Sequence, residues 1–248
     1  MPVTPLVLVH GGASAATIWD LVVPGIDGPV LAVDLPGRGI HPAPLESVTL
    51  HSAARSVVAD IDAAGFDEVV LAGHSLAGCS MPTAIALLGP RVRHAVFIAC
   101  TVPEDGTSAF DTLEPEVKDR ATRVGPGGGA ATATSDFTRQ MFGNDLDEDQ
   151  LEWMRRRLVP EGYGLTSEAV DLSPLKAPFP RTWVRPLHDR IIVPEKQRRF
   201  ARNVGNCRMI DIDAAHMCMI SQPDELARIL SVIATEPDAP AGYELGEG

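Results

Sequence analysis

The stretch Val69-Val70-Leu71-Ala72-Gly73-His74-Ser75-Leu76-Ala77-Gly78 constrains the fold of this 248-residue chain more than any other. Four apolar residues lead into a tight corner, and Leu76–Leu88, apolar nearly all round, leads out of it. A buried strand turning at once into a buried helix belongs in a sheet covered by helices. The corner forces Ser75 into a strained backbone conformation, which needs small residues two positions before and after it, here Gly73 and Ala77. The strain lifts the serine hydroxyl above the sheet. The Leu76 amide, first of the helix, then points where negative charge on a reacting oxygen would build. The second small position is alanine rather than the usual glycine, which still fits sterically. The pattern is short, and the strand before it and helix after it give it weight.

Five further runs read as strands: Pro5–Val9, Val30–Val33, Ala95–Ala99, Arg181–Arg185 and Arg208–Ile212, with Glu68–Ala72 leading into the corner. Leu50–Ala64 has helical apolar spacing and stops at Gly65, while Leu76–Leu88 is stopped by Gly89-Pro90. Ser221 reads as an N-cap with Asp224 three residues on, opening a last helix to about Ile233. Buried strands separated by crossover-length segments predict an α/β fold, with a mostly parallel central sheet of about six strands flanked by helices. Residues 103–178 hold no convincing strand and read as a helical cap inserted into a core of residues 1–102 and 179–248. Within it, Asp147–Leu158 predicts a helix with Asp147 as N-cap and Gln150 at N3. The glycine run 125–129 is expected to be a turning or mobile loop that lets the cap open, and the tail from Glu236 to be loose.

A formal net charge of −12 repels nucleic acid and anionic membranes, so neither is an expected partner. The N-terminus has no basic start or long apolar stretch, and no segment reaches membrane-span length, which predicts a cytoplasmic protein. Cys79, Cys100, Cys207 and Cys218 show no CxxC spacing and no Cys/His cluster, so no metal site is expected and the thiols should be reduced. No organic cofactor is implied either.

Leu6-Val7-Leu8-Val9 ends in His10-Gly11-Gly12, where glycines let the backbone approach a reacting carbonyl. The Gly12 amide is the candidate partner of Leu76 in an oxyanion hole. An activated serine also needs a base and a group that orients the base. His216 follows the last strand and precedes the last helix, at the carboxyl ends of the strands where open α/β sheets collect ligands. His188 is the rival base. His10 and His74 flank the two turns and read as structural, whereas His41, His51 and His94 have no supporting context. Asp189, after the penultimate strand, and Asp105, after the strand ending at Ala99, are the acid candidates. Asp211 and Asp213 fall on or beside a strand and would point away.

With His-Gly-Gly, Gly-His-Ser-Leu-Ala-Gly, the Asp189 segment and the His216 segment in this order, the chain resembles the α/β-hydrolase superfamily from Leu6 to about Ile233. It is most similar to the branch of plant methylesterases and hydroxynitrile lyases, which ends in segments like His216-Met217-Cys218-Met219 and Ser221-Gln222-Pro223. Asp34-Leu35-Pro36-Gly37-Arg38-Gly39 also looks like a superfamily loop. The resemblance implies Ser75 as nucleophile, His216 as base and Asp189 as acid, since that chain order excludes His188, with an oxyanion hole from Gly12 and Leu76. The cyanohydrin-cleaving lyases place threonine and lysine where this chain has Gly11 and Met217, which favours the esterase side. The expected reaction is hydrolysis of a small to medium, mainly apolar ester, thioester or lactone. A cofactor-free lyase or cyclase and a slow-hydrolase ligand receptor are the alternatives. Expected pocket walls are Phe110, Phe137, Met141, Phe142 and Trp153 from the cap, with Met81 and Met217 from the core.

Overall fold

The computed structural model describes residues 3–114 and 135–235, without the side chains of 135–138. The strands are β1 (Leu6–Val9), β2 (Val30–Val33), β3 (Val69–His74), β4 (Val92–Ile98), β5 (Arg181–Pro186) and β6 (Arg208–Ile212). They form one sheet in the order β2-β1-β3-β4-β5-β6, and every pairing is parallel. The helices are α1 (Leu50–Ala63), α2 (Ala77–Leu88), α3 (Ser135–Phe142), α4 (Glu148–Arg155), α5 (Pro194–Val204) and α6 (Pro223–Thr235), with several shorter turns.

The period of two along each strand sends alternate residues to the two covered faces of the sheet. Val7, Val9, Leu71, Phe97 and Trp183 face the layer of α1, α2 and α5. Leu6, Leu8, Val70, Val96, Ile98 and Val184 face Trp19 and α6. The inner strands β1 and β3 are buried on both faces, which is why they show no apolar–polar alternation, whereas the edge strands β2 and β6 are only partly buried and β6 carries Arg208 and Asp211. All four cysteines are free and buried, and burial pushes the Cys207 thiol up to about 11. No helix among the described residues is long and apolar enough to cross a membrane.

Element ends differ from expectation where tertiary contacts decide. β3 continues two residues to His74, because pairing with β4 persists through His74 and Ile98. α4 has the expected capping box between Asp147 and Gln150. It stops at Arg155, and the chain turns so that the Val159 amide donates to Ala13 O at 2.9 Å. Ser221 is not the cap of α6. It closes a helical turn, Cys218–Ser221, with its hydroxyl buried and unpartnered. Gln222 takes the cap position instead, its carbonyl accepting from Leu226 N at 3.0 Å, and Pro223 follows where a missing N–H costs nothing.

Between β4 and β5 the described residues contain helices and turns but no strand. The described part of this segment packs on both faces of the sheet. Leu146, Leu151 and Met154 pack on the α6 side, and Leu165, Val170, Leu172 and Leu175 on the α1/α2 side. The glycine run 125–129 and the tail from 236 lie outside the described residues.

Gly78 had no assigned role, yet it is where α2 meets the chain leaving β4. A Cβ there would stand 2.5 Å from Thr101 O and 2.8 Å from the Cys100 Cβ. A backbone carbonyl cannot swing aside, so Gly78→Ala should destabilise the fold by about 1–3 kcal/mol in urea unfolding. An unchanged midpoint would contradict this close approach.

Candidate active site

Ser75 sits where β3 turns into α2, with φ of 52°, a conformation that non-glycine residues adopt only when their surroundings impose it. Its N–H donates to Ile98 O at 3.0 Å, and its carbonyl accepts from Thr101 N at 2.8 Å and Gly78 N at 3.1 Å. These bonds tie the corner to the end of β4 and the first turn of α2. Gly73 is small for a concrete reason: a Cβ there would meet the Met81 sulfur at 2.4 Å and the Ala77 Cβ at 3.0 Å. Met81, expected in a pocket wall, is therefore a core residue. Its thioether fills the space beneath the corner on the α1/α2 side.

Ser75 Oγ lies 3.0 Å from His216 Nε2, and His216 Nδ1 lies 2.8 Å from Asp189 Oδ2. The carboxylate requires a proton on Nδ1, which leaves Nε2 bare to accept from the serine hydroxyl. His216 and Asp189 are both buried. Asp189 Oδ1 accepts from the amides of Ile191 at 2.7 Å and Ile192 at 2.9 Å. Gln197, on α5 and fully buried, reaches Asp189 Oδ2 at 3.3 Å, and it also donates to Ile192 O and accepts from Trp183 Nε1. The sequence reading missed Gln197, since nothing separates a glutamine on an amphipathic helix from a solvent-facing one. His74 donates from Nε2 to His216 O at 3.0 Å, which holds the loop carrying His216.

The rival groups are engaged elsewhere. Asp105 Oδ1 accepts from Leu172 N at 2.8 Å. His188 is exposed and pairs with Asp213 at 2.7 Å, and Asp211 pairs with Arg185. His41 pairs with Asp60, and His94 meets Thr182.

The His10-Gly11-Gly12 turn lies against the corner. A Cβ on Gly11 would stand 2.9 Å from His74 Nδ1 and 3.0 Å from the Ser75 Cβ. One on Gly12 would meet the Leu76 side chain at 3.2 Å, so the two candidate donor residues are neighbours. Neither the Gly12 nor the Leu76 amide enters a hydrogen bond among the described residues. His10 braces the turn, with Nδ1 donating to Gly11 O at 2.8 Å and Nε2 accepting from Leu35 N at 3.2 Å. Such an arrangement can move a proton from serine to histidine beside two residues, Gly12 and Leu76, whose amides take no partner among the described residues.

Of the expected walls, Phe142 is placed directly, its ring edge-on to His216 with centroids 6.0 Å apart. Met217 is buried beside it on the α6 side, and Trp153 lies partly buried against the same cluster under the Arg157 guanidinium. Met141 is half-buried on α3. Phe110 is half-buried on the turn Phe110–Thr112, which packs against the turn Gly164–Ser167. The Phe137 side chain lies outside the described residues. A cavity of 580 Å³ opens among Asp105, Lys176, Phe179 and Arg181, at the amino end of β5 and away from Ser75.

Three buried histidines near or below the site resist protonation. Burial, then the Arg38 charge, pushes His10 down to about 4, and burial, then Arg208, does the same for His94. Burial, then His216, takes His74 well below its ordinary value. The folded values lie below the unfolded 6.5, so the unfolded chain binds the extra protons. Stability is full above pH 6.5 and falls as pH drops from there towards 4, by roughly 1 kcal/mol per pH unit for each histidine. Urea unfolding at pH 7 and pH 5 should show this loss, and equal stability at the two would contradict it.

A strained serine at a strand–helix corner, at the carboxyl end of an all-parallel sheet, with a histidine and an aspartate in series, defines a hydrolase-type α/β protein. The chain belongs to the alpha/beta hydrolase family, whose profile matches residues 6–229. It is 26% identical to a pyrethroid hydrolase of Sphingobium wenxiniae, over 98% of this chain and 91% of that one. It is 27% identical to polyneuridine aldehyde esterase of Rauvolfia serpentina, over 90% and 93% respectively. A solved extracellular alpha/beta-hydrolase from a Paenibacillus species superposes with a TM-score of 0.83 at 22% identity, over 94% of this chain and 99% of that one. These three proteins carry hydrolase or esterase names, and a norfluorocurarine synthase of Strychnos is also similar, at 26% identity over 90% of this chain and 92% of that one.

Proposed function

We propose that the protein is a serine esterase that cleaves a small to medium, mainly apolar carboxylic ester, thioester or lactone through an acyl-enzyme on Ser75. The observation that carries this reading is the unbroken series Ser75 Oγ, His216 Nε2, His216 Nδ1, Asp189 Oδ2, with contacts of 3.0 and 2.8 Å. His216 takes the Ser75 proton as Oγ bonds to the carbonyl carbon, and the amides of Gly12 and Leu76 receive the oxyanion. The carbonyl re-forms, the alcohol's C–O bond breaks, and His216 returns the proton to the leaving oxygen. Water, deprotonated by His216, then attacks the acyl carbon, and the acid leaves as Ser75 regains its proton.

Phe142 beside His216, with Met217 behind it, gives the substrate apolar surroundings, and residues 103–178 act as the cap. The packing of Gly11 favours ester cleavage over cyanohydrin cleavage. No threonine fits where even a Cβ would stand 2.9 Å from His74 Nδ1, and Met217 offers no donor beside His216. The names of the pyrethroid hydrolase and the aldehyde esterase agree with an ester substrate. Short- and medium-chain p-nitrophenyl esters, assayed with the purified protein, test the reading. Saturable release of p-nitrophenol is expected, and none above the buffer rate with any chain length would overturn it.

A further inference from the structure

Glu161 lies in the insert, far from the strand-end turn in sequence, yet its carboxylate is built into that turn. Oε2 accepts from the Ala13 amide at 2.9 Å and from Arg38 Nη1 at 3.2 Å, while Oε1 takes Arg38 Nη2 at 2.6 Å and its own neighbour Gly162 N at 2.8 Å. Arg38 is buried, and its Nη1 also donates to Ser14 O at 3.1 Å. Glu161 thus joins residues 159–161 directly to Ala13 and, through Arg38, to Ser14, the two residues that follow Gly12.

Ala13 has φ of 53°, the left-handed region, with an ordinary side chain and no glycine to ease it. A strained residue persists only where surrounding contacts over-determine it. Here those contacts are Glu161 on the Ala13 N–H and Val159 N on the Ala13 carbonyl at 2.9 Å, both from the insert. The Gly12 N–H belongs to the Gly11–Gly12 peptide, whose carbonyl His10 Nδ1 holds at 2.8 Å. Pinning the next peptide at Ala13 holds the other side of Gly12 and so limits its two dihedrals, and a Cβ on Gly12 would lie 3.6 Å from Glu161 Oε2.

We infer that Glu161 is a positioning residue for the oxyanion hole: by holding the Ala13 amide it fixes the peptide after Gly12, as His10 fixes the one before it, so the Gly12 N–H keeps its aim only while residues 159–161 stay packed on this turn. This rests on the esterase reading and concerns turnover rather than affinity, because the oxyanion exists only after attack.

Removing Glu161 alone would strand a buried arginine charge and risk unfolding. The comparison is therefore between two double variants that both remove the charge pair. In Arg38→Met with Glu161→Gln, the amide oxygen still accepts from Ala13. In Arg38→Met with Glu161→Met, similar volume remains but the acceptor is gone. On a p-nitrophenyl ester, the Gln variant is expected to keep kcat near that of the wild type. The Met variant should lose kcat by about 10- to 100-fold at little-changed KM, below the full loss of an oxyanion donor because Gly12 itself remains. Equal kcat in the two, or a loss confined to KM, overturns the inference. Should the Met variant not fold, amide exchange at Ala13 decides: equal protection in the wild type and in the Gln variant supports it, and fast exchange in the wild type overturns it. Absence of any Ser75-dependent turnover in the wild type would instead be the failure of the esterase reading.

Discussion

Ser75→Ala is expected to lower ester turnover by about 10⁶-fold while leaving the fold intact, because serine and histidine act as one unit. The residual rate should still exceed that of water, since the free amides of Gly12 and Leu76 can still polarise a bound carbonyl. Alanine fits the site without collapse. The corner is fixed through the backbone, by Ile98 O, Thr101 N and Gly78 N, and none of those bonds uses the hydroxyl. Alanine tolerates the φ of 52° no worse than serine. Unfolding curves should therefore coincide for the variant and the wild type, and the kcat/KM ratio on one chromogenic ester measures the effect. Only a modest loss of turnover would mean that the nucleophile lies elsewhere.

Asp189→Asn should be the second-largest loss, about 10⁴-fold in kcat, by turning the histidine round electronically. The geometry of Asp189 makes the outcome unusually well defined. Its Oδ1 is pinned by two amides, Ile191 and Ile192, so the carbonyl oxygen of an asparagine has to take that place. The amide NH₂ then faces His216 Nδ1, which must be bare to accept from it, and the proton moves to Nε2. A protonated Nε2 cannot take the proton of Ser75. The same NH₂ would also face Gln197 Nε2, donor against donor, adding a stability cost on the order of 1–3 kcal/mol. Asp105→Asn is the control. Asp105 serves the Leu172 amide, an acceptor role that asparagine keeps, so activity should stay near that of the wild type. Inactivity of Asp105→Asn together with activity of Asp189→Asn would break the proposed triad at its acid.

Much of this was legible from local patterns. A strand running straight into a helix around Gly73-His74-Ser75-Leu76-Ala77 states its own geometry, because few backbones fit it. The capping box at Asp147 and Gln150 is likewise written within four residues, and it formed. What escaped depended on contacts between distant segments. Glu161 and Arg38 are separated by more than a hundred positions, and each alone reads as a solvated surface charge. Gln197 is polar on a helix whose other buried residues, Phe200, Ala201 and Val204, are apolar, so only the buried partners Asp189 and Trp183 give it meaning. Met81 was misplaced for a related reason: helical spacing identifies a buried face but not what it covers. Ser221 failed as a cap because the preceding Cys218–Ser221 turn, invisible in a four-residue motif, had already claimed its backbone.

The central claim is that the Ser75 hydroxyl is the group that becomes acylated, and it can be read without knowing the natural substrate. Incubation with a fluorophosphonate, digestion and mass mapping should place the label on the peptide containing Ser75, with no label on Ser75→Ala. An unlabelled wild type, or the same label on both proteins, would contradict it.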